Sequence, residues 1–185
     1  GLIHGVIGKN GAGKTVLLRL LCGLMHPSKG QVIVDGKQLG KDVDFAPDAG
    51  IIIETPCFLP YLSGFQNLKE LASIRNIISK EEIAEAMEQV KLDPSSRKHV
   101  GKYSLGMRQR LGIAQAIMER PRYLILDEPM NGLDTQGMED VRELLQKQKE
   151  TGVTVILASH SMEDIRLLCD TVHRIQDASL IPCTT

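Results

Sequence analysis

The segment GKNGAGKT at residues 8–15 constrains the fold of this chain more than any other part of the sequence. It fits the pattern G-x-x-x-x-G-K-S/T at every fixed position, with an apolar run before it, Ile3–Ile7, and a helical pattern after it, over about 14–24. Glycines in such a turn let successive backbone N–H groups face a polyphosphate, and the helix that follows adds the positive end of its dipole. The pattern predicts a phosphate-binding loop between a strand and a helix; a glycine-rich turn without a ligand is the alternative.

Several positions of this loop have expected roles. Lys14 would reach the β- and γ-phosphates of a bound nucleotide, and the hydroxyl of Thr15 would bind Mg²⁺. The predicted nucleotide-binding residues of the loop are Gly8, Asn10, Gly11, Ala12, Gly13, Lys14 and Thr15.

Apolar blocks of strand length alternate with helical patterns along the chain, which is typical of an α/β fold with a mainly parallel sheet. The Asp35-Gly36 dipeptide predicts a tight hairpin turn and therefore a small antiparallel part. A second hairpin is possible at 172–181. The predicted strands are Ile3–Ile7, Gln31–Val34, Ile51–Ile53, Tyr123–Asp127 and Val153–Ala158.

Residues 62 to about 103 differ in character from the rest of the chain, because they are polar and follow a helical period. Ser79 and Glu82 have the spacing of a capping box, and Asp93-Pro94 is expected to break the helix that they begin. A further helix is predicted over 105–119. We interpret this region, about 62–120 in all, as a helical subdomain inserted in the α/β core.

Composition narrows the classes of function. The 185 residues are 42% hydrophobic, which is enough for a sizeable core. The formal net charge of −1 gives no general electrostatic attraction to nucleic acid. Aromatic residues make up only 3%, which disfavours a surface that stacks on bases. The four scattered cysteines form no C-x-x-C pair, which favours reduced thiols over a zinc site or a disulfide framework. No apolar run is long enough to span a bilayer, so we expect a soluble protein.

The segment YLILDEP, residues 123–129, places two carboxylates where a buried strand ends. Ligands of open α/β sheets bind at this edge, and in phosphate-binding-loop enzymes an Asp here holds Mg²⁺. Neighbouring residues on a strand point in opposite directions, so Asp127 is predicted to serve the metal and Glu128 to orient or deprotonate an attacking water. A strand end that merely meets solvent is the alternative.

Three further segments give the chain a family resemblance. They are YSLGMRQRLGIAQAI at 103–117, MNGLD at 130–134 and ASH at 158–160. Together with the loop at 8–15, and in this order, they resemble the signature, D-loop and switch-histidine motifs of ABC ATPase nucleotide-binding domains. Ser104 and Gly106 match the signature, whereas Tyr103, Leu105 and Met107 depart from it.

The resemblance implies two domains that face each other head to tail and enclose two ATP molecules with Mg²⁺. Ser104 and Gly106 would contact the nucleotide bound by the partner domain, and Asp134 would bridge the two sites. His160 would contact the γ-phosphate and hold Glu128 and the water in place. Taken alone, Ser104 could be only a helix N-cap, and His160 only a strand-end residue.

Glu54 ends the run GIIIE at residues 50–54 and occupies the place where most ABC ATPases have a Gln. The resemblance implies that this side chain contacts Mg²⁺ and the attacking water, and that its loop meets a membrane subunit. We therefore count Glu54, with Glu128 and His160, among the catalytic residues, and Thr15, Glu54 and Asp127 as the metal ligands. The alternative is a solvated carboxylate at a strand end.

The Glu at position 54 and the SLGM form of the signature resemble the bacitracin and lantibiotic resistance branch of the family. This implies an ATPase at the inner face of the cell membrane that works with transmembrane permease subunits and a second nucleotide-binding domain, identical or different. A soluble ABC-type ATPase acting on ribosomes or nucleic acid is the alternative, and a nucleotide switch with little turnover is a third hypothesis.

The chain begins without Met inside a predicted strand, so we expect its natural N-terminus, with the adenine-stacking aromatic residue of the family, to be missing.

Overall fold

The computed structural model describes residues 1–183, in which helices and strands alternate as the sequence predicts. The strands are β1 Ile3–Ile7, β2 Ile33–Val34, β3 Lys37–Gln38, β4 Ala49–Ile52, β5 Tyr123–Asp127, β6 Thr154–Ala158, β7 Thr171–Gln176 and β8 Ser179–Cys183. The α-helices are α1 Lys14–Cys22, α2 Gly64–Arg75, α3 Lys80–Gln89, α4 Leu105–Ile117, α5 Thr135–Glu150 and α6 Met162–Leu168, with one 3₁₀ turn at Val100–Lys102.

Six strands form one sheet in the order β4-β5-β6-β1-β7-β8. The first five run parallel and β8 pairs antiparallel with β7, which confirms the mainly parallel sheet and the hairpin near the C-terminal end. Ala158 at the end of β6 stands opposite both Val6 of β1 and Asp127 of β5. The segments that follow these three strands therefore meet at one edge of the sheet, where ligands bind in such folds.

Both faces of the sheet are covered, as the continuous apolar sequence of β5 predicts. Leu124 and Leu126 are buried on one face in the cluster that includes Val141 and Leu145 of α5. Ile125 points to the other face and joins the cluster that contains Leu18 and Cys22 of α1. The central strands and α1 are thus fixed by burial on both sides.

The predicted antiparallel part is the hairpin of β2 and β3, whose turn residues Asp35 and Gly36 both have positive φ angles, 49° and 75°. Such a turn suits the twist of a hairpin. The Asp35 carboxylate accepts hydrogen bonds from Arg122 at 2.8 Å and from the Tyr123 hydroxyl at 2.6 Å. These bonds tie the hairpin to the start of β5, and the bond to Asp35 raises the pKa of Tyr123.

The helical region lies between β4 and β5 in the chain. Ser63 and Ser79 both close capping boxes, with Gln66 and Glu82, at the starts of α2 and α3. Ile83 and Met87 of α3 are buried in the same cluster as the strand residues Leu124 and Leu126, so this region shares the core of the sheet. No helix among residues 1–183 has the length and apolar character needed to cross a membrane.

Several predicted boundaries are wrong by a few residues. Helix α3 ends at Gln89, before the Asp93-Pro94 break, because Lys91 takes a left-handed conformation with a φ of 60°. Helix α1 ends at Cys22 rather than near 24, because Gly23 adopts φ 83° and closes the helix. Strand β4 covers Ala49–Ile52 rather than Ile51–Ile53, and β2 is shorter than predicted.

Gly50 explains how β4 extends further back than its isoleucines indicate. A Cβ atom at this position would lie 1.9 Å from the carbonyl oxygen of Ala116 in α4. Only glycine permits this close approach of helix to strand. The contact fixes α4, and with it the segment that begins at Ser104, against the sheet.

Candidate nucleotide-binding and catalytic site

The loop at residues 8–13 joins β1 to α1 and has the backbone that its glycines predict. Gly11 and Gly13 adopt φ angles of 79° and 105°, which other residues rarely tolerate. The Ala12 N–H donates to the carbonyl of Lys9 at 3.0 Å, which closes a tight turn. The first backbone N–H groups of α1 therefore face the open side of the loop, where an anion is favoured.

Lys14 is the first residue of α1 and one of the few buried charged side chains. Its Nζ donates to the Gly8 carbonyl at 2.9 Å, so the ammonium group bends back across the loop. The loop carries no acidic side chain that would neutralise it. The ammonium and the helix N-terminus together form a site for a negatively charged ligand.

Thr15 connects the loop to the end of β5. Its hydroxyl donates to Asp127 Oδ2 at 2.6 Å, and Asp127 is buried apart from a small exposed area. Both groups line an open cleft with Lys14 and Glu128. Within residues 1–183 no group of three or more His, Cys, Asp or Glu side chains could hold a metal alone.

That donor set fits Mg²⁺. This ion prefers oxygen ligands and is usually bound by one or two carboxylates together with phosphate oxygens and waters, not by a complete protein cage. The hydroxyl of Thr15 and the carboxylate of Asp127 supply oxygens of the right kind beside the predicted phosphate site.

Glu128 is the first residue after β5 and adopts a left-handed conformation with a φ of 50°. Its N–H donates to the Ala158 carbonyl at 2.9 Å, which holds the backbone against the end of β6. Its Oε2 lies 2.7 Å from His160 Nδ1. The two neighbouring carboxylates thus have different partners, Asp127 with Thr15 and Glu128 with His160. Their predicted roles toward the metal and the attacking water stay predictions.

The signature-like segment and the segment 130–134 lie against each other within the chain. A Cβ on Gly106 would lie 3.0 Å from the Gly132 carbonyl, and a Cβ on Gly132 would lie 2.5 Å from the Leu105 side chain. Ser104 caps α4 by accepting from the Met107 N–H, and Asp134 caps α5 by accepting from the Gly137 N–H. Ser104 thus acts as a helix N-cap, and its predicted contact with nucleotide stays a prediction.

Ser104, Gly106 and Asp134 do not line the cleft at Lys14. Between these three residues and the loop at 8–15, no hydrogen bond occurs in the described part of the chain. The anion-binding loop and the signature-like start of α4 therefore lie at separate places on the chain.

Glu54 lies two residues beyond β4 and has a φ angle of 62°. Its Oε1 accepts a hydrogen bond from Arg19 Nη2 at 2.6 Å, and the side chain is 61% exposed. Within residues 1–183 it forms no hydrogen bond with Thr15 or Asp127, which bond each other. The expected role of Glu54 at the metal therefore stays a prediction, and its present partner is Arg19.

Two residues of the site were missed by sequence reasoning. Arg19 follows Thr15 by four positions in α1. Residues with this spacing lie on one face of a helix, so the spacing was a signal that Arg19 lies on the same side as Thr15. Gln109 is buried in α4 and donates to the Pro129 carbonyl at 3.0 Å, which ties the signature-like helix to the segment after Glu128. Only the packing of α4 shows that contact.

The strand, loop and helix at 1–22, with Asp127 and Glu128 at the neighbouring strand end, define a nucleoside triphosphatase of the phosphate-binding-loop class. The family profile described as ABC transporter matches residues 1–131. The chain belongs to the ABC transporter family.

Similar proteins agree with this family. An ABC transporter ATP-binding protein of Bacillus subtilis described as uncharacterized, YybJ, is 46% identical over 92% of this chain and 78% of its own length. The bacitracin transport ATP-binding protein BcrA of Enterococcus faecalis is 40% identical over 98% of this chain. The lantibiotic transport ATP-binding protein SrtF of Streptococcus pyogenes is 34% identical over 98% of this chain and 78% of its own length. The chain spans only 59% of the length of BcrA.

A solved structure titled "Structure of ATP binding subunit of ABC transporter" superimposes with a TM-score of 0.87 at 26% identity, over 99% of this chain and 78% of that chain. The predicted fold class and the predicted family are therefore confirmed, and bacitracin and lantibiotic transport ATP-binding proteins are among the relatives, as predicted. Membership of this family supports ATP binding and ATP hydrolysis as the activities of the chain.

Proposed function

We propose that this chain is the ATP-binding and ATP-hydrolysing part of a transporter that exports, or gives resistance to, peptide antibiotics or similar small amphiphiles. The contact of Glu128 with His160, at the edge of the sheet where Lys14 and Thr15 lie, carries the hydrolysis part of the proposal. A nucleotide switch without turnover would not need a carboxylate held in this way. The relatives described as bacitracin and lantibiotic transport ATP-binding proteins support the transport part. We also infer that residues 1–185 form one domain, with a helical subdomain at about 62–120.

In this proposal the triphosphate lies on the loop at 8–15. Lys14 neutralises charge on the β- and γ-phosphates, and the N–H groups at the start of α1 donate to phosphate oxygens. Thr15 and Asp127 would hold Mg²⁺, with Glu54 as a further ligand after it leaves Arg19. Bound Mg²⁺ would neutralise the charge that develops on the phosphates.

Glu128 acts on the water that attacks the γ-phosphate. Its carboxylate accepts a hydrogen bond from that water, orients it and takes up its proton. The 2.7 Å contact with His160 Nδ1 fixes the carboxylate, and the exposed remainder of the imidazole is free to contact the γ-phosphate. A general base oriented by a second residue is a recurring arrangement for activating a nucleophile.

A second nucleotide-binding domain completes each site. Ser104 and Gly106 stand at the start of α4, away from the cleft of their own chain, and the N–H groups there would donate to the γ-phosphate bound by the partner domain. Asp134 would reach across the interface between the two domains. The pair is arranged head to tail, with identical or different domains.

The transmembrane permease subunits would contact the surface next to Glu54. An apolar groove there is lined by Ile53, Pro56 and Leu24, and Leu24 is 54% exposed. In this proposal the protein lies in the cytoplasm at the inner face of the membrane. Its net charge of −1 does not favour binding to nucleic acid.

The proposal is tested by isolating the natural full-length protein, tagged, from its host after gentle solubilisation of the membranes. We expect it to sediment with membranes and to bring an integral membrane protein that mass spectrometry identifies. Recovery in the supernatant with ribosomes or nucleic acid would leave the ATPase chemistry in place and overturn the assignment to transport.

A further inference from the structure

The ion pair of Arg19 and Glu54 lies beside the site, and Arg19 has no role in the chemistry described above. Its Nη2 is 2.6 Å from Glu54 Oε1. Arg19 stands four residues after Thr15 in α1, so both side chains lie on one face of this helix. One turn of α1 thus holds Asp127 through Thr15, and the next turn holds Glu54 through Arg19.

Glu54 adds to the negative charge in this part of the protein. Asp127 and Glu128 already bring two carboxylates to the edge of the sheet that faces the phosphate loop. Glu54 follows the neighbouring strand β4 and is held to α1 by Arg19, so it adds a third carboxylate whose negative charge opposes a bound polyphosphate. Arg19 supplies the compensating positive charge, and it does so from the helix that begins at the loop itself.

We propose that Arg19 is a positioning residue that competes with Mg²⁺ for the carboxylate of Glu54. The proposal rests on the nucleotide and metal site proposed above. Arg19 holds Glu54 while the site is without ligand, and Glu54 exchanges the guanidinium for the metal when Mg²⁺ and nucleotide bind. Arg19 thereby keeps the added carboxylate neutralised and sets how much Mg²⁺ is needed to recruit it.

The surroundings of the pair suit an exchange of partners. The Arg19 side chain is 37% exposed and that of Glu54 is 61% exposed, and ion pairs of this kind are weak because water screens them. Glu54 follows β4 and lies outside regular structure, so its carboxylate can change partner while β4 stays paired with β5. Mg²⁺, with two positive charges and a preference for carboxylate oxygen, is the stronger competitor.

In the test, Mg²⁺ is titrated into the natural protein in the presence of a fluorescent ADP analogue. The binding of the analogue is followed as Mg²⁺ is added, which gives an apparent Mg²⁺ affinity without any need for turnover. We expect Arg19→Gln to raise the apparent Mg²⁺ affinity about two- to fivefold, because Glu54 no longer has a competing partner. Glu54→Gln is expected to lower the affinity, and Arg19→Gln should have no further effect in that background. Arg97→Gln, at an exposed arginine of the helical region, is the matched control and should match the wild type.

Two results would overturn the proposal: an Mg²⁺ affinity of Arg19→Gln equal to that of the wild type, or a gain that persists when Glu54 is already Gln. Arg19→Met, which keeps the unbranched stem of the side chain, replaces Arg19→Gln should the latter not fold. Failure of the wild type itself to bind the ADP analogue would refute the proposed function instead, so the two failures are distinguished.

Discussion

Replacing Glu128 by Gln is expected to lower the rate of ATP hydrolysis at least about 100-fold, because a general base commonly contributes this much or more. The amide has the size of the carboxylate and can still hydrogen-bond His160, so the position of the side chain at the end of β5 is kept. It cannot accept the proton of the attacking water. Phosphate release by the natural protein measures the effect, and ATP binding should stay within about twofold of the wild type.

The control for this variant is Glu139→Gln, which makes the same chemical change on the exposed face of α5. Its rate should equal that of the wild type. Hydrolysis by Glu128→Gln at the wild-type rate would remove Glu128 from the chemistry and leave its contact with His160 a structural one.

Gly50→Ala is expected to destabilise the fold by several kcal/mol, at the upper end of single substitutions, which exceed about 4 kcal/mol only rarely. The new methyl group would lie 1.9 Å from the Ala116 carbonyl oxygen, and backbone rather than a flexible side chain must move. Because α4 carries Ser104 at its start, the shift would also displace the signature-like segment. Urea unfolding followed by circular dichroism measures the loss.

Gly30→Ala is the matched control. Gly30 has a φ of 82° and nothing within 4 Å of its added Cβ, so this variant tests backbone strain without a clash. It should cost only about 1–2 kcal/mol. Equal losses for the two variants would mean that the approach of α4 to β4 is not the tight contact described here.

Most of the fold could be predicted because local signals and the parallel topology agree. β1 and β5 have the predicted bounds, since β5 is an apolar run that is buried on both faces and β1 directly precedes the glycine-rich loop. The site residues were predictable from three different signals: Thr15 from the loop motif, Asp127 and Glu128 from their place at a strand end, and His160 from the family resemblance. The parallel topology brings all four to one edge of the sheet, where Thr15 bonds Asp127 and His160 contacts Glu128.

Other features depend on tertiary contacts that leave little trace in sequence. The early start of β4 is permitted by the fit of Gly50 under α4, and the early end of α3 by the left-handed Lys91. The partner of Glu54 could not be predicted from its own segment, because Arg19 lies 35 residues earlier in the chain and only folding brings the two together. The predicted contacts of Ser104, Gly106 and Asp134 are contacts with a second nucleotide-binding domain, so the geometry of one domain does not test them.

The central claim is that residues 8–15 bind ATP for hydrolysis, and phosphate release from Mg-ATP by the natural protein together with its membrane partner tests it most directly. We expect a rate of about 1 s⁻¹ or more for the wild type, within the ordinary range of enzymes. Lys14→Ala, which removes the ammonium group held over the loop, should fall at least about 100-fold below it. A wild-type rate no higher than that of Lys14→Ala would contradict the account.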